Sequence, residues 1–408
     1  MSAAETSSDQ HGAQLLRALK RLSREDSAAG AIDAFGVGGP KLQAEGLRVV
    51  VDARELLAMG FTEILGRLPR ILRAMRELKQ AAIRERPDVA VVIDYPDFHF
   101  RLAKLLRPLG FPIAYYIPPK VWVWRKGRLR ILRERFARVL NILPFEEDFY
   151  RREGVPARYV GNPLVDELPL STSREEARRE LSVPDDARVL LLMPGSRPSE
   201  LARHLVLMLD AAQAAAPKIV GKGGERLIVL LPFPLTADFP EMLRRIEDWK
   251  ARSTESARWL DIRPSQGDAP RAMLAADAGL IKSGTSTLEA GILGCVHAVI
   301  YRASWLSDFV FHRIIRRTFK GPVGLVNLVH GWQEGEPWLV PEYIERGMTA
   351  DQLRAEIVSL FLDERKRARI RAGLDLLREK MKVDVSPSEL AAREILALVK
   401  EPHARAGN

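Results

Sequence analysis

A chain of 408 residues is longer than one ordinary hydrophobic core supports and calls for two domains. Hydrophobic residues make up 47% and charged residues 28%, which excludes a disordered or fibrous chain. The formal net charge of +10 points to an anionic partner (nucleic acid, acidic membrane or phosphorylated substrate), and a single cysteine, Cys295, excludes an intramolecular disulfide or a cysteine-based metal cluster.

The polar segment Met1–Gly12 passes almost directly into a helical pattern at Gln14–Leu22. Only a few residues are left for a first strand, so that strand is expected either to be truncated or to begin upstream of Met1. Strand patterns follow at Ala34–Val37, Val49–Asp52, Val89–Asp94, Ile113–Tyr116 and Val139–Leu143, with helical patterns at Ile64–Ile83, Phe98–Leu109 and Lys126–Phe136. The charged stretch Pro169–Arg188 reads as a short helix bounded by loops and sets the domain boundary. Strands resume at Val189–Met193, Leu227–Leu231, around Ile262, at Ala278–Ile281 and at Ala298–Tyr301, with helices at Leu201–Ala216, Pro240–Arg252 and Ser386–Lys400. Such alternation is the mark of α/β architecture with parallel sheets. The expected domains are 1–168 and 169–385, with 386–408 a C-terminal helix and tail able to return to the first domain. No apolar run reaches the length of a membrane span, and the N-terminus is unlike a secretory signal.

Leu191–Glu200 is the most informative stretch. An apolar run ends in Pro-Gly-Ser-Arg and a helical pattern follows, a strand–turn–helix that can turn backbone N–H groups toward an anion. Gly195 and Ser196 shape the turn, and Arg197 could clamp a diphosphate through its planar guanidinium. A second such turn, Lys282-Ser-Gly-Thr-Ser-Thr-Leu-Glu289, holds Ser283, Gly284 and Thr285 as donors. Either turn alone reads as structural; together they favour a bound nucleotide diphosphate. Glu289, on the helix face of Thr285, could accept from ribose hydroxyls or be a plain surface glutamate.

Asp94 closes the apolar run Val89–Ile93, at the carboxyl edge of a parallel sheet where ligands bind. Its alternative is a carboxylate bonded to a loop. Asp97, just after Pro96, is better read as a first-turn carboxylate facing the helix dipole than as a catalytic group. The seven histidines form no His-Glu-x-x-His pair, and His11 and His99 read as polar loop or helix residues. No metal and no cofactor is expected. Two basic amphipathic stretches are candidate membrane surfaces, at even odds with ordinary solvated helix faces: Arg67, Arg70, Arg73, Arg76 and Lys79 beside Leu68, Ile71, Leu72 and Met75, and Trp305–Lys320.

The chain resembles the lipid-A-disaccharide synthases, glycosyltransferases of the GT-B fold, along nearly its whole length. The resemblance is carried by Glu5-Thr-Ser-Ser-Asp9, Phe35-Gly-Val-Gly-Gly-Pro, Met59-Gly-Phe-Thr-Glu, Ile93-Asp-Tyr-Pro-Asp-Phe98, Val121-Trp-Val-Trp-Arg125, Leu143-Pro-Phe-Glu146, Val160-Gly-Asn-Pro-Leu, the Pro-Gly-Ser-Arg turn and Ser283-Gly-Thr. Ala4 and Ser8 replace two glycines of the first signature, which restricts the backbone there. Asn162 stands where the family often has His, and Pro118 where it often has Ser.

This resemblance implies two Rossmann-like domains facing a central cleft, the first binding acceptor and the second a UDP-sugar. It also implies an inverting transfer from UDP-2,3-diacylglucosamine to 2,3-diacylglucosamine 1-phosphate, in lipid A (lipopolysaccharide) biosynthesis. Asp94 is then the expected base, with Arg197 and Asn327 as the other catalytic residues. Glu5, Ser7, Asp9, Asp97, Trp122 and Trp124 would serve substrate on the acceptor side. A cytoplasmic protein peripheral to the inner face of the inner membrane is the corresponding location. The rivals are another nucleotide-sugar enzyme of the same fold, such as an epimerase, and a basic nucleic-acid-binding protein. No nucleic-acid partner is expected, because the basic residues are dispersed and no helix-turn-helix, zinc-finger or aromatic RNA-binding signature appears.

Overall fold

The computed structural model describes residues 1–26, 30–56, 63–122, 127–221, 226–253, 258–302, 321–331, 336–344 and 347–401, the side chains of Thr6 and of 63–68 aside. Trp124 and the stretch Trp305–Lys320 therefore lie outside the described residues. The chain divides into two units, Met1–Asp166 with Met381–Asn408, and Glu167–Lys380.

The first unit is built on β1 (Ser2–Ala3), β2 (Phe35–Gly38), β3 (Arg48–Asp52), β4 (Ala90–Ile93), β5 (Ile113–Tyr116), β6 (Arg138–Asn141) and β7 (Ala157–Tyr159). They form one parallel sheet in the order β3-β2-β1-β4-β5-β6-β7. Its strands read as nearly continuous apolar runs because both faces are covered. Successive residues alternate between two cores: Ile113 and Tyr115 pack on one face, Ala114 and Tyr116 on the other. The second core also takes Leu15, Leu16 and Leu19 of the helix Thr6–Glu25 together with Ala391, Ile395 and Leu398 of the C-terminal helix Pro387–Lys400.

The second unit carries β8 (Val189–Met193), β9 (Leu227–Phe233), β10 (Leu260–Gln266), β11 (Ala278–Lys282), β12 (His297–Tyr301) and β13 (Glu342–Ile344), all parallel, in the order β10-β9-β8-β11-β12-β13. Asp277, at the foot of β11, is nearly buried. It binds Arg178 at 3.2 Å, pairs with Arg174, and accepts from the Val189 amide at 2.8 Å. That network ties the first helix of the unit, Arg174–Glu180, to the sheet.

Several elements escaped the sequence pattern. β7 and β13 are three-residue edge strands, too short to show a period, and the helices Ala350–Leu362 and Glu364–Met381 were not anticipated. The helix Glu63–Glu85 has the expected amphipathic pattern. Ala74, Met75, Leu78, Ala81 and Ala82 are buried, Met75 and Leu78 joining the core, while Arg70, Arg73, Arg76 and Lys79 face outward. Leu72 and Ile83 are exposed apolar residues on the same helix, at 43% and 52%.

β1 is two residues long although it lies at the centre of its sheet, between β2 and β4. It pairs with Val92 and Ile93 of β4, whereas β5 pairs with β4 over the whole of Ala90–Ile93. Before β1 a cavity of about 510 Å³ opens, lined by Met1, Ile32, Phe35, Leu78, Val91 and Ile395 among others. The Met1 amine donates to the Phe35 carbonyl at 2.7 Å, and burial pushes its pKa down to about 5.

Candidate active site

In each unit the strand order reverses at one point, β1 against β4 and β8 against β11. Chains leaving two neighbouring parallel strands there go to opposite sides of the sheet, which opens a crevice at their carboxyl ends. The residues singled out from sequence fall largely at these two points.

In the first unit, Asp94 follows β4 directly. It and Tyr95 hold left-handed backbone angles, φ 54° and 46°, and Ile117 after β5 holds φ 60°. Such conformations are costly for non-glycine residues and persist only where the surroundings impose them. At Asp94 the surroundings are explicit. Its amide donates to the Tyr116 carbonyl at 3.0 Å, and its carbonyl accepts from the Tyr115 hydroxyl at 3.0 Å and from His99 Nδ1 at 2.6 Å. A carbonyl can only accept, so His99 carries its proton on Nδ1, and Nε2 accepts from the Ser2 hydroxyl at 2.8 Å. Burial pushes the His99 imidazole down to about 4, which keeps it neutral. The chain Ser2–His99–Asp94 thus fixes the backbone at the end of β4 and leaves the Asp94 carboxylate half-buried. Burial raises the pKa of that carboxylate, opposed by the Tyr95 amide and by Lys120.

Around it, Glu5 precedes the helix Thr6–Glu25, its amide donating to Ser8 Oγ at 3.0 Å, and Ser7 is exposed in the first turn. Neither Ala4 nor Ser8 takes a left-handed angle, so the loss of two glycines from the signature costs the backbone nothing. Asp9 is committed to the framework: its carboxylate accepts from the amides of Gly39, Lys41 and Leu42 at 2.7, 3.0 and 3.2 Å. A side chain at Gly39 would meet that carboxylate at 2.7 Å, which is why the loop needs glycine. Asp97 lies exposed in the first turn of the helix Pro96–Leu106 and pairs with Arg128. Trp122 donates through Nε1 to Glu146 at 3.0 Å. Glu146 is buried at the start of the helix Pro144–Arg152, and burial pushes its carboxyl up to about 7. Asn162 is buried too, accepting from the Leu164 amide at 3.1 Å.

In the second unit, β8 ends in the turn Pro194–Arg197, from which the helix Pro198–Val220 starts. Gly195 has φ 125°, and a Cβ there would meet Glu200 at 2.7 Å. The expectation of open amides at this turn needs correcting. The N–H groups of Ser196 and Arg197 donate to Glu200 Oε2 at 3.1 and 3.4 Å, because the helix folds its own Glu200 back as a cap. Glu200 Oε1 in turn pairs with Lys282 at 2.8 Å, joining the end of β8 to the end of β11. Burial opposes ionisation of Glu200, but Lys282 and the two amides hold its pKa below the usual range. The side chain of Arg197 is exposed and makes no hydrogen bond or ion pair with a described residue, so its guanidinium is free for a ligand.

At the end of β11, Ser283 donates its amide to the Ile300 carbonyl at 2.8 Å, and Gly284 and Thr285 are exposed at the start of the helix Thr285–Ile292. Glu289 is half-buried on that helix, its pKa raised by burial and by Glu167. Asn327 is held inside the framework. It is 1% exposed; its amide nitrogen donates to the Val340 carbonyl and to Glu342 at 2.9 and 2.8 Å, and its oxygen accepts from the Val340 amide at 2.9 Å. Glu342 also accepts from the Val323 and Gly324 amides, so Asn327 and Glu342 together clamp the loop before the helix Leu325–His330.

Sequence reasoning gave His99, Glu200 and Glu146 no part in the site: His99 read as a polar loop or helix residue, and Glu200 and Glu146 only closed their motifs. Their pairing with Asp94, the Ser196 amide and Trp122 depends on how strands and helices stack.

The family model for lipid-A-disaccharide synthetase matches residues 1–396. Lipid-A-disaccharide synthase of Myxococcus xanthus is 37% identical over 399 residues, covering 97% of this chain and 96% of that protein. The same-named protein of Syntrophus aciditrophicus is 35% identical, covering 98% and 97%. Among solved structures, MurG of Acinetobacter baumannii superposes with a TM-score of 0.53 at 13% identity, covering 96% of each chain. A UDP-GlcNAc 2-epimerase of Neisseria meningitidis bound to UDP-GlcNAc also gives 0.53, at 12% identity, covering 96% of this chain and 98% of that one. At such identities these two speak for the shared two-domain fold alone.

Proposed function

This chain belongs to the lipid-A-disaccharide synthetase family, a GT-B glycosyltransferase of lipid A synthesis, and we propose that it transfers the sugar of UDP-2,3-diacylglucosamine to the 6-hydroxyl of 2,3-diacylglucosamine 1-phosphate. The attacking O6 forms a bond to C1 of the donor sugar from the face opposite the diphosphate. The C1–oxygen bond to UDP breaks, the O6 proton passes to the Asp94 carboxylate, and UDP leaves with the bonding electron pair. The configuration at C1 inverts.

Asp94 carries this reading. It is a half-buried carboxylate at the strand-order switch, with its backbone held from three sides, and its pKa is raised toward the range where a general base works well. Arg197, exposed and without a partner among the described residues, suits the charge that grows on the departing diphosphate. Ser283, Gly284, Thr285 and Glu289 are the further contacts proposed for UDP, and Glu5, Ser7, Asp97, Trp122 and Trp124 those for the acceptor. Two diacylated substrates carry more apolar chain than water tolerates, each methylene being worth about 0.8 kcal/mol in retention. The acyl chains therefore stay partly in the bilayer and the enzyme works at the cytoplasmic face of the inner membrane. Its net charge of +10 and the outward Arg70, Arg73, Arg76 and Lys79 support that location. No helix among the described residues is long and apolar enough to cross a membrane.

The test is turnover of the two acylated substrates followed by mass spectrometry, with Asp94→Asn alongside wild type. The amide is nearly isosteric but takes no proton at neutral pH, so turnover should fall at least about a hundredfold with UDP binding retained. Near-normal turnover by Asp94→Asn would remove Asp94 from the base role.

A further inference from the structure

The carboxyl end of β5 holds a charged side chain that this mechanism leaves unused. The chain leaves β5 through Ile117, turns over Pro118 and Pro119, and reaches Lys120 before the turn at Val121–Trp122. Both sides of Lys120 are clamped to the helix Pro144–Arg152. On one side the Tyr150 hydroxyl donates to the Pro119 carbonyl at 2.9 Å. On the other, Trp122 Nε1 donates to Glu146 at 3.0 Å, with the Trp122 ring edge-on to Phe145 at 5.2 Å. Glu146 is itself anchored by the Leu143 amide at 3.3 Å.

Between these clamps Lys120 is exposed, and no hydrogen bond or ion pair joins it to a described residue. Desolvation by the surrounding protein lowers its pKa, opposed by the charges of Glu146 and Asp94. A lysine kept only for stability would close an ion pair, and one kept only for solubility would not need a rigid loop on both sides. A cation between two anchored neighbours and without a partner among the described residues is suited to an incoming anion.

We propose that Lys120 binds the 1-phosphate of the acceptor sugar and thereby sets the acceptor's orientation against Asp94. The assignment rests on the acceptor proposed above. In that sugar the 6-hydroxyl and the 1-phosphate are carried by the two sides of the ring oxygen, so they lie along one edge. Asp94 and Lys120 lie along one edge of the sheet: they follow β4 and β5, which are hydrogen-bonded neighbours with Ile93 opposite Tyr116. A base after one strand and a cation after the next, on neighbouring strands about 5 Å apart, grip the two ends of that sugar edge. An acceptor without the phosphate, or presented the other way round, leaves the cation unused.

The experiment compares 2,3-diacylglucosamine 1-phosphate with 2,3-diacylglucosamine as acceptors, for wild type, Lys120→Met and Lys120→Arg. A charge-assisted contact is worth roughly 10- to 100-fold. Lys120→Met should reduce the ratio of kcat/KM for the phosphorylated over the unphosphorylated acceptor by that factor. The loss should appear mainly in the acceptor KM, with the donor KM unmoved, and Lys120→Arg should restore most of the ratio. A ratio unchanged in Lys120→Met, or equal losses with both acceptors, overturns the assignment; equal losses would make Lys120 a prop of the loop. Wild type that turns over neither acceptor overturns the proposed reaction itself, and with it the phosphate.

Discussion

Lengthening β1 backwards tests the reading of the cavity beneath the Asp94 site. The perturbation is an in-frame extension before Met1: a new initiator Met, a Lys, then Val-Leu-Val. The three aliphatic residues would continue β1 into the cavity of about 510 Å³ beside Ala90 and Val91, whose β1-facing side has no strand partner among the described residues. Two contributions can be worked from the structure. Three buried aliphatic side chains contribute about 1.5–3 kcal/mol each, and ordering three residues costs about 1.5–2 kcal/mol each, which leaves roughly 0–3 kcal/mol. The second contribution is the Met1 amine. Its pKa is 8.0 when solvated and about 5 here because burial disfavours the charge. Between pH 8 and 5 the unfolded chain holds a proton that the folded chain does not. Stability is therefore complete above pH 8 and falls as the pH drops, by about 1.4 kcal/mol per unit, reaching roughly 1.4 kcal/mol at pH 7 and roughly 4 near pH 5. The extension turns the amine into an amide that still donates to Phe35, and removes this loss. The extended protein should thus be more stable by about 1–4 kcal/mol at pH 7, and its advantage should grow as the pH is lowered to 5. Urea unfolding over that pH range measures both, with amide hydrogen exchange at Val37 and Val92 reporting on the first unit by itself. Equal stability at every pH would refute both contributions; an advantage that does not change with pH would refute the buried amine alone.

Arg197→Lys should lower turnover at least about tenfold, since lysine keeps the charge and loses the fork that meets two phosphate oxygens; steady-state kinetics and UDP titration check it. Gly195→Ala places a methyl against Glu200 at a φ of 125° and should cost about 1–3 kcal/mol. By disturbing the hold of Glu200 on Ser196, Arg197 and Lys282 it should also weaken UDP binding, to be measured by calorimetry and thermal unfolding on the same sample. Wild type should co-sediment with anionic vesicles, less so as salt rises to about 1 M, where charges are screened within ~3 Å. A variant with Arg70, Arg73, Arg76 and Lys79 changed to Gln should sediment less at low salt; equal sedimentation would exclude this helix face as the contact.

Much of the fold was legible because its signals are local. Parallel strands covered on both sides must be apolar throughout, so Val189–Met193, Ala278–Lys282 and Ile113–Tyr116 declare themselves, and the turns that follow them mark the ligand-binding edge. Edge strands of three residues carry too little pattern to read, which is why β7 and β13 were missed.

The candidate site divides in the same way. Residue type and position along the strand picked out Asp94 and Arg197, because a carboxylate ending an apolar run and an arginine in a Pro-Gly-Ser-Arg turn are visible without partners. Whether a polar side chain is available to substrate is a different question, and it depends on what else reaches it. Asp9 and Asn327 carry the right chemistry, but amides 30 and 13 residues further on, at Gly39 and Val340, take up their hydrogen-bonding groups. Glu200 closes amides that the strand–turn–helix pattern leaves open. Conversely, His99 and Glu146 acquire their roles from Ser2 and Trp122. Composition and periodicity determined two parallel-sheet domains and the edges where chemistry happens, since burial acts on each strand separately. Only the tertiary structure decided which polar groups are used up in holding those edges and which, like Arg197 and Lys120, have no partner among the described residues, because hydrogen-bond satisfaction joins residues that the chain keeps far apart.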